Sequence, residues 1–127
     1  MIKFTGRFYF KLTDSKNLIG EFSNNRATCK RNYTESAVPK PPSSTDAKSK
    51  NPPDDKFVGE YFSTWFDEND HESVLADLKI EKKQSCQNIF SLTWKILDGK
   101  NRDISFLGEG MLCDGILIGD FRNFGEI

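Results

Sequence analysis

The chain of 127 residues is short of the residue types that mark many functional classes. It has one histidine and three cysteines, and no two cysteines are spaced as Cys-x-x-Cys. This pattern suits free thiols in a reducing cytoplasm better than a disulfide framework. No apolar run approaches the roughly 20 residues that span a bilayer, and no apolar leader with a cleavage site is found. We therefore expect a cytoplasmic protein with no membrane partner.

The chain also lacks a surplus of charge of either sign. Its 18 basic and 19 acidic residues leave a net charge of −1. A protein that binds nucleic acid by neutralising phosphates normally presents a basic face. Here the basic residues cluster only at Lys30-Arg31 and Lys82-Lys83. We therefore expect no nucleic-acid partner.

Motifs that carry catalysis or hold cofactors are missing. The sequence has no G-x-S-x-G, phosphate-binding loop or dinucleotide fingerprint. The polar segment Asp67–Glu72 contains the only histidine. It does not match a calcium loop, because its sixth position is Glu72 rather than glycine and its twelfth is Leu78 rather than glutamate. A single imidazole also falls short of a selective zinc site. We expect no catalytic residue, no metal site and no other cofactor.

What the chain does have is many aromatic residues that alternate with polar ones. Eleven Phe, three Tyr and two Trp can anchor a small core, since each buried ring removes roughly 150–250 Å² from water. A period of two predicts strands rather than helices, and Asp114-Gly115 is a strong hairpin signal. The predicted strands are Ile2–Leu12, one from Leu18, Ala27–Tyr33, Phe57–Trp65, Val74–Glu81, Phe90–Ile96, Ile104–Leu112 and Ile116–Arg122. The count is seven or eight.

An internal repeat indicates how these strands are arranged. Leu18-Ile19-Gly20-Glu21-Phe22 recurs as Leu117-Ile118-Gly119-Asp120-Phe121, and each copy follows a Phe-x-Gly. Glycine inside a strand is unfavourable unless it permits a bend or a close backbone approach. Repeated inward glycines are typical of strands that coil where a sheet closes on itself. We predict an all-β fold, an antiparallel up-and-down β-barrel of about eight strands, with a β-sandwich as the alternative.

One segment does not fit the alternation. All five prolines lie within Ala37–Lys56, which is otherwise rich in Ser, Lys and Asp. Such a composition offers too little apolar surface to offset the entropy lost on ordering. We predict a single domain over residues 1–127, in which residues 37–56 form a flexible loop.

The predicted strands send seven aromatic side chains into the barrel. By strand phase these are Phe8, Phe10, Tyr61, Trp65, Phe90, Trp94 and Phe106. A barrel of eight strands holds either packed side chains or one small ligand. Because no polar group converges on this interior in the sequence, we expect it to be filled. The alternative function is a carrier that binds a small apolar ligand at these residues.

The glycines and the alternation resemble a known family. The residues that carry the likeness are Leu18-Ile19-Gly20, Phe57-Val58-Gly59-Glu60-Tyr61 and the acidic segment followed by Leu75–Ile80. They look like the negative regulators of type III secretion, which are small cytoplasmic bacterial proteins with a calycin-like (lipocalin-like) barrel. The resemblance implies a protein-binding, regulatory role. It also implies that Asp67, Glu68, Asp70 and Glu72 contact a basic regulatory protein.

A second protein partner is expected from the outward strand positions. Many of them are apolar: Tyr9, Ile19, Phe62, Phe66, Leu107, Met111, Ile116 and Ile118. That is more apolar surface than a small monomer usually exposes. We therefore predict a homodimer joined through strand faces, with two-fold symmetry.

The acidic segment gives the first testable prediction. Replacing Asp67, Glu68, Asp70 and Glu72 with Asn or Gln should leave the thermal midpoint nearly unchanged, because exposed charges contribute little to stability. The same change should remove basic partners that are recovered by pull-down from host lysate at low salt, since acidic surfaces speed association with basic ones. Identical partner profiles for both proteins would count against this role.

Overall fold

The computed structural model describes residues 5–25, 33–41, 56–67, 71–85 and 88–124. These residues form eight strands. The strands are β1 (Thr5–Leu12), β2 (Leu18–Asn24), β3 (Tyr33–Pro39), β4 (Gly59–Asp67), β5 (Glu72–Lys82), β6 (Ile89–Ile96), β7 (Ser105–Cys113) and β8 (Ile116–Phe124). Across the described ranges, no helix is long and apolar enough to cross a membrane.

The eight strands close into an antiparallel up-and-down barrel. Each strand pairs with the next along the chain, and β8 pairs back with β1 through a register that runs from Thr5 opposite Arg122 to Lys11 opposite Ile116. The predicted fold class is therefore confirmed. Closure gives every described strand a hydrogen-bonded neighbour on both sides, which removes the exposed edges of an open sheet.

Alternate residues of each strand fill the interior. In β5, Val74, Ala76, Leu78 and Ile80 are buried, whereas the residues between them are exposed or half-buried. The largest fully buried side chains include Phe10 of β1. Burial of one such side chain contributes roughly 1.5–3 kcal/mol relative to exposure. The period of two thus produces a core of packed side chains inside the barrel.

Strand β3 differs from the sequence prediction. The sequence predicts a strand over Ala27–Tyr33, but β3 begins at Tyr33 and continues to Pro39. The flexible loop predicted over residues 37–56 therefore begins too early. Ala37 is only 1% exposed, and the backbone N–H of Lys40 still donates to the carbonyl of Glu60 at 2.9 Å. Residues 27–32 of the expected strand and residues 42–55 of the expected loop lie outside the described residues.

The sequence of β3 does not show the alternation of apolar and polar residues that is typical of a strand, because its inward residues are not all apolar. Tyr33, Glu35 and Ala37 occupy the inward positions, and Glu35 is buried. A glutamate in the middle of an inward row makes a strand look polar on both faces, so the alternation of apolar and polar residues is lost. The sequence pattern therefore indicates a loop where the chain in fact crosses the sheet.

The repeated glycines lie where neighbouring strands approach most closely. A Cβ atom on Gly20 would lie 1.8 Å from the carbonyl oxygen of Tyr9, and one on Gly119 would lie 1.9 Å from the carbonyl oxygen of Glu109. Backbone atoms of a paired strand cannot move aside as a flexible side chain can. The same local repeat thus permits tight coiling in β2 and in β8.

The glycines give the second prediction. Gly119→Ala should lower the free energy of unfolding by roughly 3 kcal/mol or more, because the added methyl group must separate two paired strands. Gly115→Ala is the matched control. Gly115 has a φ of 80° but no atom within 4 Å of the added methyl group, so only about 1–2 kcal/mol of backbone strain is expected. Urea unfolding followed by tryptophan fluorescence measures both. Equal losses would contradict the proposed close approach.

Candidate functional site

A buried polar cluster lies inside the barrel. The carboxyl group of Glu35 points inward from β3, and the residue is only 5% exposed. Its Oε2 accepts hydrogen bonds from Ser63 Oγ of β4 at 2.5 Å and from Trp94 Nε1 of β6 at 2.9 Å. The expectation that no polar group converges on the interior is wrong, and Glu35 is the residue that sequence reasoning missed.

Small residues in the neighbouring strands place this cluster. Gly20 lies opposite Glu35 in β2, so no side chain competes with the carboxyl group from that side. A Cβ atom on Gly108 would lie 2.9 Å from the indole ring of Trp94, so only glycine leaves room for the ring there. Ala37 lies opposite Ser63 across β3 and β4. Three inward positions with little or no side chain thus make space for a glutamate and a tryptophan.

Burial dominates the electrostatics of the cluster. Loss of hydration raises the pKa of Glu35 to about 7, and the hydrogen bonds from Ser63 and Trp94 offset only part of that effect. The hydroxyl group of the buried Tyr61 donates to the carbonyl of Phe57 at 2.8 Å. Burial raises the pKa of Tyr61 to about 12, so this phenol stays protonated. Below neutral pH the interior cluster therefore contains an uncharged carboxylic acid beside the Ser63 hydroxyl and the Trp94 indole.

Aromatic rings pack around the cluster and continue to one end of the barrel. Of the seven residues predicted to point inward, Phe8, Phe10, Tyr61, Phe90 and Trp94 are buried, while Trp65 and Phe106 are partly buried against the same core. Phe22 contacts Trp65 edge-on at 5.8 Å between ring centroids. Phe106 contacts Phe121 in the same way at 6.0 Å. These aromatic side chains thus pack against one another in the described interior.

Exposed apolar side chains form a continuous patch on the outer face of β7, β8, β1 and β2. Ile118 lies between its partners Tyr9 of β1 and Met111 of β7, and the next row brings Ile116 and Ile19 to either side of Lys11. Ile19, Met111 and Ile118 are each about half exposed, at 49%, 50% and 49%. We call Tyr9, Ile19, Met111, Ile116 and Ile118 the outer strip.

A groove of about 570 Å³ adjoins the outer strip and crosses the outer face of β1 to β5. Its lining includes the hydroxyl side chains Thr34, Ser36 and Thr64, together with Tyr9 and Phe66. The Tyr9 hydroxyl donates to the carboxylate of Glu21, and this hydrogen bond raises the pKa of Tyr9. The groove therefore extends the strip into a surface that offers both aromatic and hydroxyl contacts.

A second apolar group lies on the outer face of β3 and β4, outside the outer strip. Val38 of β3 lies opposite Phe62 of β4, and both are exposed, at 49% and 37%. The ammonium group of Lys40 lies 4.9 Å from the centroid of the Phe62 ring and 2.5 Å from a carboxylate oxygen of Asp77. Because a cation already covers Phe62, this group offers a partner less apolar surface than the outer strip.

The acidic segment is only partly described. Asp67 ends β4 directly opposite Glu72, which begins β5, while Glu68 and Asp70 lie outside the described residues. Glu72 Oε1 accepts a 3.4 Å hydrogen bond from the backbone N–H of Lys100. One of the four carboxylates is thus directed at a neighbouring turn of the same chain. Contact between this segment and a basic regulatory protein stays a prediction.

The described residues offer no evident metal centre. Among them, no group of three or more His, Cys, Asp or Glu side chains could hold a metal ion. Cys113 carries an exposed free thiol at the end of β7. Cys29 and Cys86 lie outside the described residues.

Comparison of the chain with protein-family models, with curated proteins and with solved structures gives no match. The buried cluster and the outer face are therefore the features from which a function can be inferred.

Glu35 gives the third prediction, a stability that falls as the pH rises. Its pKa is raised from 4.5 to about 7 on folding, so the folded chain binds the proton more tightly than the unfolded chain. The resulting stability is fully present below pH 4.5, is lost between pH 4.5 and 7, and does not change further above that window. At about 1.4 kcal/mol per pH unit, the loss is about 3 kcal/mol.

Urea unfolding of the wild type and of Glu35→Gln at about pH 4, 5.5, 7 and 8 measures this contribution. The difference between the two proteins isolates Glu35 from the other carboxylates, which titrate in both. As the pH rises, the free energy of unfolding of Glu35→Gln should increase relative to that of the wild type, and this change should be nearly complete near pH 7. A difference that stays constant with pH would show that the carboxyl group does not change its affinity for the proton on folding.

Proposed function

We propose that this protein acts by binding another protein, rather than by catalysis, and that it binds through the outer strip. The observation that carries the proposal is the continuity of half-exposed apolar side chains across four neighbouring strands. Extended apolar patches on small proteins typically mark interaction sites. The strip has a rigid base, because every strand beneath it is paired on both sides.

The partner we propose first is a second copy of the chain. Next to the strip, Asp120 lies between its partners Arg7 of β1 and Glu109 of β7. Lys83 binds Glu109 and lowers the pKa of that carboxyl group, which keeps it ionised. A two-fold contact can set the Arg7 of one copy against an acidic residue of the other. The net charge of −1 adds little repulsion between copies.

Closure of the barrel also limits how two copies can meet. A closed sheet has no free edge strand, so pairing by addition of a strand to the described sheet is not open to the intact barrel. Contact between outer faces remains. In such a contact the side chains of the strip, rather than backbone hydrogen bonds, supply most of the association free energy.

The described interior supports protein binding over carriage of a small apolar ligand. Phe8, Phe10, Phe90 and Trp94 are all buried within one core cluster. A ligand would have to displace such rings, and it would meet the carboxyl group of Glu35. An apolar molecule cannot donate a hydrogen bond to that group, which makes burial beside it costly.

The proposal gives the fourth prediction. At tens of micromolar, the wild type should have the mass of a dimer, twice the 14.5 kDa of one chain. Ile118→Lys should weaken association by roughly 3 kcal/mol or more, about a hundredfold in Kd, because it buries an ammonium group without a partner. Sedimentation velocity over a concentration series measures both.

Leu75→Lys is the matched control. Leu75 is an outward residue of β5, on the opposite side of the barrel, and is 38% exposed. This variant should keep the mass of the dimer, and both variants should keep the free energy of unfolding within about 1 kcal/mol of the wild type, as exposed substitutions usually do. A wild type that is monomeric at these concentrations would refute the proposal. Equal weakening by both variants would place the interface elsewhere.

A further inference from the structure

Strand β3 is attached to the barrel by less apolar packing than its neighbours. Its inner face carries Tyr33, Glu35 and Ala37, so its one buried apolar side chain is an alanine. The Tyr33 ring stacks on Phe22 with 5.3 Å between centroids. By contrast, the inner face of β5 buries four aliphatic side chains. β3 therefore gains less from apolar burial than β5 does.

Among the described residues, β3 also has the shortest hydrogen-bonded pairing of the eight strands. β3 pairs with β2 from Tyr33 to Ala37 and with β4 from Glu35 to Pro39. Within the described part of this strand, three residues are thus paired on both sides: Glu35, Ser36 and Ala37. β4, for comparison, pairs with β5 along its full length. Local opening costs least where pairing is short and apolar contacts are few.

Glu35 is the contact that joins β3 to the far wall. Its carboxyl group receives hydrogen bonds from Ser63 of β4 and from Trp94 of β6. β6 is not a neighbour of β3 in the sheet, so the bond to Trp94 crosses the interior of the barrel. We propose that Glu35 is a proton-controlled latch, which holds β3 in the barrel while its carboxyl group is protonated and releases β3 when the group is ionised.

When Glu35 is protonated, its carboxyl group and the Ser63 hydroxyl can each donate a hydrogen bond. A protonated carboxyl group can donate to Ser63 Oγ, and the Ser63 hydroxyl can then donate to the carbonyl oxygen of Ser36, which lies 3.4 Å away. When Glu35 is ionised, the single hydroxyl proton of Ser63 is drawn to the carboxylate instead. Ionisation therefore weakens a contact to the β3 backbone and places a charge in an apolar interior, where it is costly.

The groups that face Glu35 do not offset this charge. Ser63 and Trp94 are neutral donors, and the Tyr61 hydroxyl is directed to the backbone of Phe57. Among the described residues, Glu35 has the one buried carboxyl group, and no lysine or arginine is buried with it.

Charged residues on the strands around the cluster lie on the outer face. They alternate with the inward positions, as Glu21 does in β2, Glu60 in β4, Asp77 in β5 and Lys95 in β6. The wall of the barrel therefore separates them from the Glu35 carboxylate. Release of β3 brings water to that carboxylate and removes the cost of its burial.

Native-state hydrogen exchange tests the latch. Amides of β3 and of the central β5–β6 pair are compared at about pH 5.5 and 8, after correction for the intrinsic pH dependence of exchange. With a pKa near 4.5 when opened and about 7 when closed, the opening constant of β3 should rise about 30-fold between these pH values. Amides of Leu78 and Leu92, which are paired away from β3, should exchange only through global unfolding. They should therefore have a lower opening constant than β3 at both pH values and a steeper dependence on added urea.

Three variants sharpen the test. Glu35→Gln removes the ionisable group and should abolish the rise in the opening constant of β3. Glu60→Gln changes an exposed glutamate of β4 and should behave as the wild type. Trp94→Phe keeps an aromatic ring but removes one donor to the carboxylate, so the rise of about 30-fold should become larger. This variant keeps the latch testable if Glu35→Gln fails to fold.

The outcomes are separable. An opening of β3 that is more frequent than global unfolding, depends little on urea and rises with pH only when Glu35 is present supports the latch. Amides of β3 that open with the same constant and the same urea dependence as those of Leu78 and Leu92 would show that Glu35 acts on global unfolding alone and would overturn it. No change between the two pH values, or an unchanged rise in Glu35→Gln, would also overturn it. None of these results depends on whether the outer strip forms a dimer.

Discussion

The pairing of β8 with β1 imposes a condition on every other strand. For eight strands to close, the sheet must coil tightly, and tight coiling brings backbones closer than side chains allow. Gly20 and Gly119 lie at two of these close approaches, where a Cβ atom would lie 1.8 Å and 1.9 Å from a neighbouring carbonyl oxygen. The closed ring then fixes a narrow interior, which large aromatic side chains fill only because small residues lie opposite them.

The buried carboxyl group of Glu35 depends on this same constraint. Gly20 and Ala37 leave space on β2 and β3, and Gly108 leaves space for the Trp94 ring. Burial of a hydrogen-bonded glutamate in that space contributes less to the free energy of folding than burial of a hydrocarbon side chain of the same size would. It also makes the attachment of β3 respond to protons, which an apolar residue cannot do. The barrel thus has one wall held by a titratable contact and the other walls held by apolar packing.

Alternation in the sequence predicts most of the strands. The predicted bounds of β5 and β6 lie within a few residues of the observed ones, because their inward residues are mainly apolar and their outward residues mainly polar. The prediction of β3 failed, since its inward row has Glu35 at the centre. The same residue explains why the buried cluster was missed. Whether a glutamate between Thr34 and Ser36 faces water or a tryptophan depends on β6, and Trp94 lies 59 residues further along the chain.

The outer strip was easier to predict than the buried cluster. Outward apolar positions follow from strand phase alone, so Ile19, Met111 and Ile118 were identified, and they are indeed exposed. Their continuity was not evident, because it requires the register that joins β7, β8, β1 and β2. Tyr9 meets Ile118 only through the pairing that closes the barrel.

That closing pair also has a consequence for synthesis on the ribosome. Of the eight strands β1 emerges first, but its partner β8 begins only at Ile116. Until then the nascent sheet has two open edges, one on β1 and one on the most recent strand. Contacts so distant in sequence form slowly, and unpaired edges invite aggregation while they wait. The leading hairpin therefore keeps one unpaired edge for most of the time that the barrel takes to be translated.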